Sequence, residues 1–213
     1  MSHVKIGWGG AFLFFCLVTL TLMPAACGGG VSSEHAARQA YMGLDHAVDR
    51  ALKLAMRGYN AATSAHIPDQ SEPGDESGTM VVGGKVDAGE SANKVITVTV
   101  ALDEYSDGVL EDEDGDDLFI FYFTEETEEE EGILPVLDLK LKGMPDGTFD
   151  GTLEGHFLME GDLDGRVTLD LQIEGVLEEV AGSDGEIRRK PGTVTVIGTA
   201  TSRYGEFEVS IQL

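Results

Sequence analysis

A period of two governs most of this chain. Ile96, Val98, Val100 and Leu102 alternate with Thr97 and Thr99. Leu137, Leu139 and Leu141 are separated by Asp138 and Lys140, and Val167, Leu169, Leu171 and Ile173 by Thr168, Asp170 and Gln172. Phe207, Val209, Ile211 and Leu213 close the sequence in the same way. Successive side chains of a strand point to opposite faces, so each run makes a strand with one apolar and one wet face. Turn-forming residues fall between the runs: Asp107-Gly108, Pro145-Asp146-Gly147, Asp162-Leu163-Asp164-Gly165, Pro191-Gly192 and Tyr204-Gly205. Residues 79–213 are therefore expected to form an antiparallel meander of about eight strands.

Ahead of the strands the period changes. Over 34–58, Ala37, Tyr41, Leu44, Val48, Ala51 and Ala55 recur at spacings of four and three, one stripe of an amphipathic helix. Ser32 or Ser33 is placed to cap it and Gly58 to stop it. Asp45, Asp49, Lys53 and Arg57 fall on the side away from the stripe, with Asp49 and Lys53 forming an i,i+4 pair. Gly43 weakens the helix interior by about 1 kcal/mol relative to alanine. The polar stretch 59–78, with Pro68 and Pro73, reads as a frayed helix end and a loop. The fold class is thus mainly β (α+β), one long helix packed on a curved antiparallel sheet.

Two details refine the sheet. Gly78-Thr79-Met80-Val81-Val82-Gly83 is echoed by Gly192-Thr193-Val194-Thr195-Val196-Ile197-Gly198, a weak internal repeat. Gly151 and Gly155, among Phe149, Leu153 and Phe157, allow strong bending. Phe119-Ile120-Phe121-Tyr122-Phe123 is continuously apolar, which predicts a strand buried on both faces where the helix crosses.

The first 26 residues are of another kind. Lys5 precedes an apolar run over 11–23, too short for a bilayer that needs about 20 residues in a helix. A charged start, a short apolar core and small residues after it describe a secretory signal. The end of the run, Leu22-Met23-Pro24-Ala25-Ala26-Cys27, resembles the lipobox of bacterial lipoproteins, with Pro24 in place of the usual Leu three before the cysteine. The resemblance covers about the first thirty residues. It implies cleavage after Ala26, a diacylglycerol and an N-acyl chain such as palmitate on Cys27, and a membrane held through that anchor. Gly28, rather than Asp, after the cysteine implies the outer membrane. Cys16 leaves with the signal, so Cys27 has no disulfide partner in 27–213. Residues 27–33 would then be the tether, and 34–213 one domain.

Lys5 is the one Lys, Arg, Asp or Glu removed with the signal, leaving 13 of 14 bases against 39 acids, a formal charge of −26. Such a balance excludes nucleic acid as a partner, because phosphate neutralisation needs Lys and Arg. It also predicts that the body stands off its membrane by charge repulsion. Fifteen acids fall within 103–131, in two clusters, 111–117 and 125–131, flanking the apolar pentapeptide. Asp112, Asp114, Asp116 and Asp117 are weak calcium candidates, since calcium takes six to eight oxygens. Gly115 precedes Asp116, which breaks the EF-hand spacing, and a charge run is usually a solvated face.

No GxSxG, HExxH, Walker A or CxxC pattern occurs. His156 reads as a surface histidine on a strand's polar face, and Arg188-Arg189-Lys190 as a polar hairpin loop ahead of Pro191-Gly192. The expectation is a lipid-anchored envelope protein with a non-enzymatic structural or binding role, no resident cofactor, and a protein or hydrophobic partner the sequence does not identify. Three other readings remain. The curved sheet with an N-terminal helix resembles the half-barrels of lipoprotein carriers and receptors, which implies acyl-chain binding in the concavity. The acidic loops suit a calcium-dependent surface or adhesion module. Alternating strands up to the C-terminus also suit an integral outer-membrane β-barrel.

Overall fold

The computed structural model describes residues 29–61, 64–87, 92–124, 133–183 and 186–213. The signal segment 1–26, Cys27 and the acidic run 125–131 lie outside the described residues.

Helix α1 (Glu34–Ala61) begins where Ser33 accepts the Ala36 N–H at Oγ (3.1 Å) and the Ala37 N–H at its carbonyl (2.9 Å). That is N-capping. The whole predicted stripe is buried, and so are Ala36, Ala40, Ala47, Leu52 and Leu54. The buried arc is wider than one stripe because the helix is enclosed on more than one side. The predicted stop at Gly58 is not used, since α1 runs on to Ala61. A Cβ at residue 58 would come within 2.6 Å of Ile67 Cγ2 and 3.1 Å of Gln70 Cγ, so this glycine makes room for a strand.

That strand corrects the predicted loop over 59–78. β1 (His66–Pro73) pairs antiparallel with β2 (Ser77–Val86). A register shift between Ile67 and Gln70 takes up Pro68, and β1 lies at the sheet edge, where proline's missing N–H is tolerated. Only Ile67 of β1 is fully buried, which is why its sequence looks like a loop.

Next come β3 (Lys94–Ser106), the small hairpin β4 (Leu110–Glu111) and β5 (Asp117–Leu118), and β6 (Ile120–Phe123). After them follow β7 (Val136–Lys142), β8 (Thr148–Gly161), β9 (Gly165–Glu179), β10 (Ile187–Arg189), β11 (Thr195–Ser202) and β12 (Gly205–Gln212). Apart from the β4–β5 hairpin, ten strands form one antiparallel sheet in which eight lie in sequential order and β7 and β10 pair beside them. β7 and β6 share one lane between β3 and β8. β7 pairs with residues 94–99 and 148–154 of those neighbours, and β6 with Tyr105 and residues 158–161. The chain leaves this lane after Thr124, which holds the Leu102 N–H at Oγ1, and returns at Pro135, whose carbonyl takes the Val100 N–H. β10 and β11 share a second lane beside β9, parted at the Lys190–Thr193 turn. The result is a meander of eight lanes in chain order.

Those eight lanes cannot be flat. Seven spacings of about 4.8 Å make a sheet about 34 Å wide, against a helix about 10–12 Å across. Yet α1 packs against β1 and β2 at one edge and against β10 and β12 at the other. The sheet therefore curls around the helix. Its inner face carries Ile96, Val98, Leu137, Leu139, Leu169 and Leu171, each at most 1% exposed. Its outer face carries Lys140, Glu154, His156, Asp170 and Gln172. Among the described residues, one space between helix and sheet is about 20 Å³, lined by Leu44, Val48, Val100, Leu102, Leu137 and Phe157. That holds roughly one water molecule.

Residues 119–123 are not buried on both faces as predicted. Ile120 and Tyr122 point inward and are buried, whereas Phe119, Phe121 and Phe123 are half-buried outside, with Phe119 and Phe121 meeting edge to face at 4.7 Å. The helix does cross here: the Tyr122 hydroxyl donates to the Ala40 carbonyl at 2.9 Å. Gly43 exists for this contact, because a Cβ there would collide with Tyr122 Oη and sit 3.0 Å from its Cε2 and Cζ. The weak repeat is structural as well. β2 and β11 carry Gly84 (φ 156°) and Gly198 (φ 152°) at matching places, each lying where a Cβ would strike a carbonyl of the adjacent strand. Gly84, not Gly83, is the counterpart of Gly198.

Candidate functional site

Charge is concentrated where the two sheet edges meet the helix. On the β10 side, Arg189 is 2% exposed and uses its whole guanidinium. Nε and Nη2 donate to the two oxygens of Asp49 at 2.7 and 3.0 Å. Nη1 donates to Asp45 Oδ1 at 2.9 Å and to the Tyr41 hydroxyl at 3.3 Å, and Nη2 also reaches the Asp45 carbonyl at 2.6 Å. All five N–H donors are engaged. Burial by itself would weaken the guanidinium's hold on its proton, but the Asp49 bonds and the neighbouring Tyr41 and Asp45 outweigh it, so Arg189 stays charged. Burial, then Asp45, pushes the Tyr41 hydroxyl well above the usual tyrosine range.

This corrects two expectations. Arg189 is no hairpin-loop residue: Ile187 and Arg189 face inward while Arg188 faces out and pairs with Glu178 at 2.6 Å. Asp45 and Asp49 do not point away from the fold, and Asp49 serves Arg189 while Lys53 turns to Glu72 at 3.3 Å.

On the β1 side the polarity is reversed, with the cation on the helix. Arg50 donates to the Pro73 carbonyl (2.7 Å), Asp75 (2.8 Å) and Asp107 (3.0 Å), and lies 5.9 Å from the Tyr105 ring centroid. Tyr105 in turn donates to Asp107 at 2.6 Å. The Arg50 bond holds the Asp75 carboxyl below the usual range. Two arginines thus clamp one helix to opposite edges of the sheet. Between them is an open cleft of about 340 Å³ with His46, Lys53, Glu72, Glu186 and Arg188 in its wall.

Of the calcium candidates, Asp112 is turned inward. Its Oδ1 accepts the Asp114 and Asp116 N–H groups at 2.9 and 3.0 Å, and its Oδ2 accepts Gln39 Nε2 at 2.8 Å with His35 Nε2 at 3.6 Å. Asp114 is exposed beside His35, at 3.8 Å, and Asp116 and Asp117 are exposed on the loop. The loop is folded around one carboxylate rather than around a shared point. Among the described residues no three histidines, cysteines or carboxylates converge as metal ligands. His156 lies on the outer face, its Nδ1 2.7 Å from Thr168 Oγ1.

The bonds to Asp116 and then Gln39 hold the Asp112 carboxyl below the usual carboxylate range. A depressed folded-state value means that the ionised group adds stability above about pH 3.9, the unfolded value, and that this is lost as pH falls through the lower folded value. By urea unfolding, Asp112→Asn should be less stable than wild type at about pH 5, and the difference should shrink progressively as pH falls below about 4. An undiminished difference at pH 3 would remove this account of Asp112.

Ahead of the helix, the first described residues are docked on the body rather than free. Gly29 forms a parallel bridge with Leu163, and its carbonyl accepts the Asp164 N–H at 3.3 Å. Val31 is 1% exposed, and its carbonyl accepts the Ser202 hydroxyl at 2.5 Å. The expected tether over 27–33 is therefore part of the domain from Gly29 onward. No helix among the described residues is long and apolar enough to cross a membrane. Comparison with family models, curated proteins and solved structures returns no match.

Proposed function

We propose that this chain is an exported, lipid-anchored envelope protein whose helix-filled sheet serves a non-enzymatic structural or binding role. The observation that carries the reading is a sequence one: a charged start and short apolar run lead into Pro24-Ala25-Ala26-Cys27, two residues ahead of the docked Gly29. The body supplies its own closure. Its buried arginine is matched by helix carboxylates, and its concavity is filled by the helix.

Weighing against acyl-chain binding in the concavity, α1 lies there with buried apolar residues on it and is held by the Arg189 and Arg50 bonds. The charged outer face weighs against a barrel immersed in lipid, which needs an apolar band there. A calcium-dependent module rests on the acidic loops alone.

The test is metabolic labelling with a radioactive fatty acid. Wild type should carry label and sediment with membranes; Cys27→Ala should carry none and keep its signal. Equal label on both would end the lipoprotein reading.

A further inference from the structure

The geometry points to a defined membrane-facing end of the body: the turns at 162–165 and 202–205, with Arg203 and Tyr204 seated among lipid headgroups. This rests on the lipid-anchor reading and adds an orientation to it. The partner surface is the headgroup layer of the bilayer that holds the anchor.

The first support is reach. Gly29 is fixed to Leu163 and Asp164, Val31 to Ser202, and Gly30 lies against the Tyr204 ring, where a Cβ would come within 2.8 Å of Cε2. Cys27 is two residues before Gly29, and two residues span at most about 7 Å. The headgroup layer is about 5–8 Å deep on each side of the hydrocarbon. A lipid on Cys27 therefore brings the turn that holds Gly29 down to the headgroups. The predicted stand-off cannot be large, because Gly28 alone lies between Cys27 and the docked Gly29.

The second support is what this end displays. Tyr204 is 51% exposed, and Arg203 lies over its ring at 4.7 Å while donating to its hydroxyl at 2.5 Å. An amphipathic ring with a polar tip suits a membrane–water interface. A guanidinium suits lipid phosphate. Of the acids at this end, Asp162 is committed, accepting the Phe119 N–H at 2.7 Å, whereas Asp164 in the same turn and Glu206, two residues after Tyr204, are exposed. Asp114 and Asp116 remain exposed on the β4–β5 loop beside the helix start, so the seat relies on the anchor and this pair rather than on net charge.

The opposite end carries the Lys190–Thr193 turn, separated from Tyr204 by the length of β11, about 26 Å. This permits a clean test. The sole tryptophan, Trp8, leaves with the signal, so the processed protein has none. Single-tryptophan variants Tyr204→Trp, Arg203→Trp and Lys190→Trp are purified in acylated form and reconstituted into phosphatidylcholine vesicles containing a headgroup nitroxide lipid. Flotation reports anchoring, and quenching reports depth. Tryptophan at 204 and at 203 should be quenched about threefold or more strongly than at 190, a contrast set by a 5–8 Å layer against about 26 Å. Using two neighbouring reporters guards against one substitution disturbing the turn. Flotation with equal quenching at both ends, or stronger quenching at 190, overturns the orientation and leaves the anchor reading standing. Failure of the acylated fraction to float overturns both.

Discussion

Arg189→Met should destabilise the protein by about 3 kcal/mol at neutral pH, a large share of the total stability of a domain this size. The guanidinium is buried, bridges Asp45 and Asp49 on the helix, and reaches Tyr41 behind them. Removing it leaves two carboxylates without a counter-charge at a seam shared by helix and sheet. Asp45 and Asp49 are 21% and 37% exposed, so water recovers part of the loss, which places the estimate at the low end of the range for broken buried pairs. Arg189→Lys should restore less than half of it, because an ammonium cannot reproduce the two-oxygen fork on Asp49. Adding Asp49→Asn to Arg189→Met should recover stability relative to Arg189→Met alone. Urea midpoints for the four proteins decide the matter, and a loss under about 0.5 kcal/mol in Arg189→Met would mean that the seam is held by apolar packing alone.

The second large effect concerns Gly43. In an exposed helix interior, Gly→Ala stabilises by about 1 kcal/mol. Here the methyl would strike the Tyr122 hydroxyl and crowd its ring, so Gly43→Ala should instead destabilise by about 2 kcal/mol, as overpacking does. Tyr122→Phe loses the bond to the Ala40 carbonyl but opens room for the methyl. In that background Gly43→Ala should cost at least about 1 kcal/mol less, a positive coupling between residues 79 positions apart. Additive costs in the four-variant cycle would show that helix and strand do not meet at this point.

Much of this fold is legible in the sequence, and the parts that are not share a cause. The helix stripe and the strands from Ile96 and Val167 are local periodicities, and local periodicity survives reading one residue after another. β1 escaped because an edge strand with a bulge at Pro68 buries only Ile67 and so shows no alternation. The shared lane of β6 and β7 is invisible because it is defined by partners in β3 and β8, far along the chain. Arg189 was hidden by its setting in a basic triplet before Pro191-Gly192. Its signal was present nonetheless: Ile187 and Arg189 alternate with Arg188, and the helix places Asp45 and Asp49 one turn apart with no cation of its own between them. Gly43 looked like a defect in a helix and is a contact point, a distinction that only the approach of Tyr122 can make. As for the site, no local pattern could reveal that Gly29 and Val31 are docked, because their partners Leu163 and Ser202 lie more than 130 residues away.

The anchor on Cys27 is the claim on which function and orientation both depend, and the intact mass of the protein extracted from membranes measures it most directly. The account predicts a chain that begins at Cys27 and is heavier than residues 27–213 by one diacylglycerol and one acyl group. A mass matching an unmodified chain, or one that begins at any other residue, would contradict it.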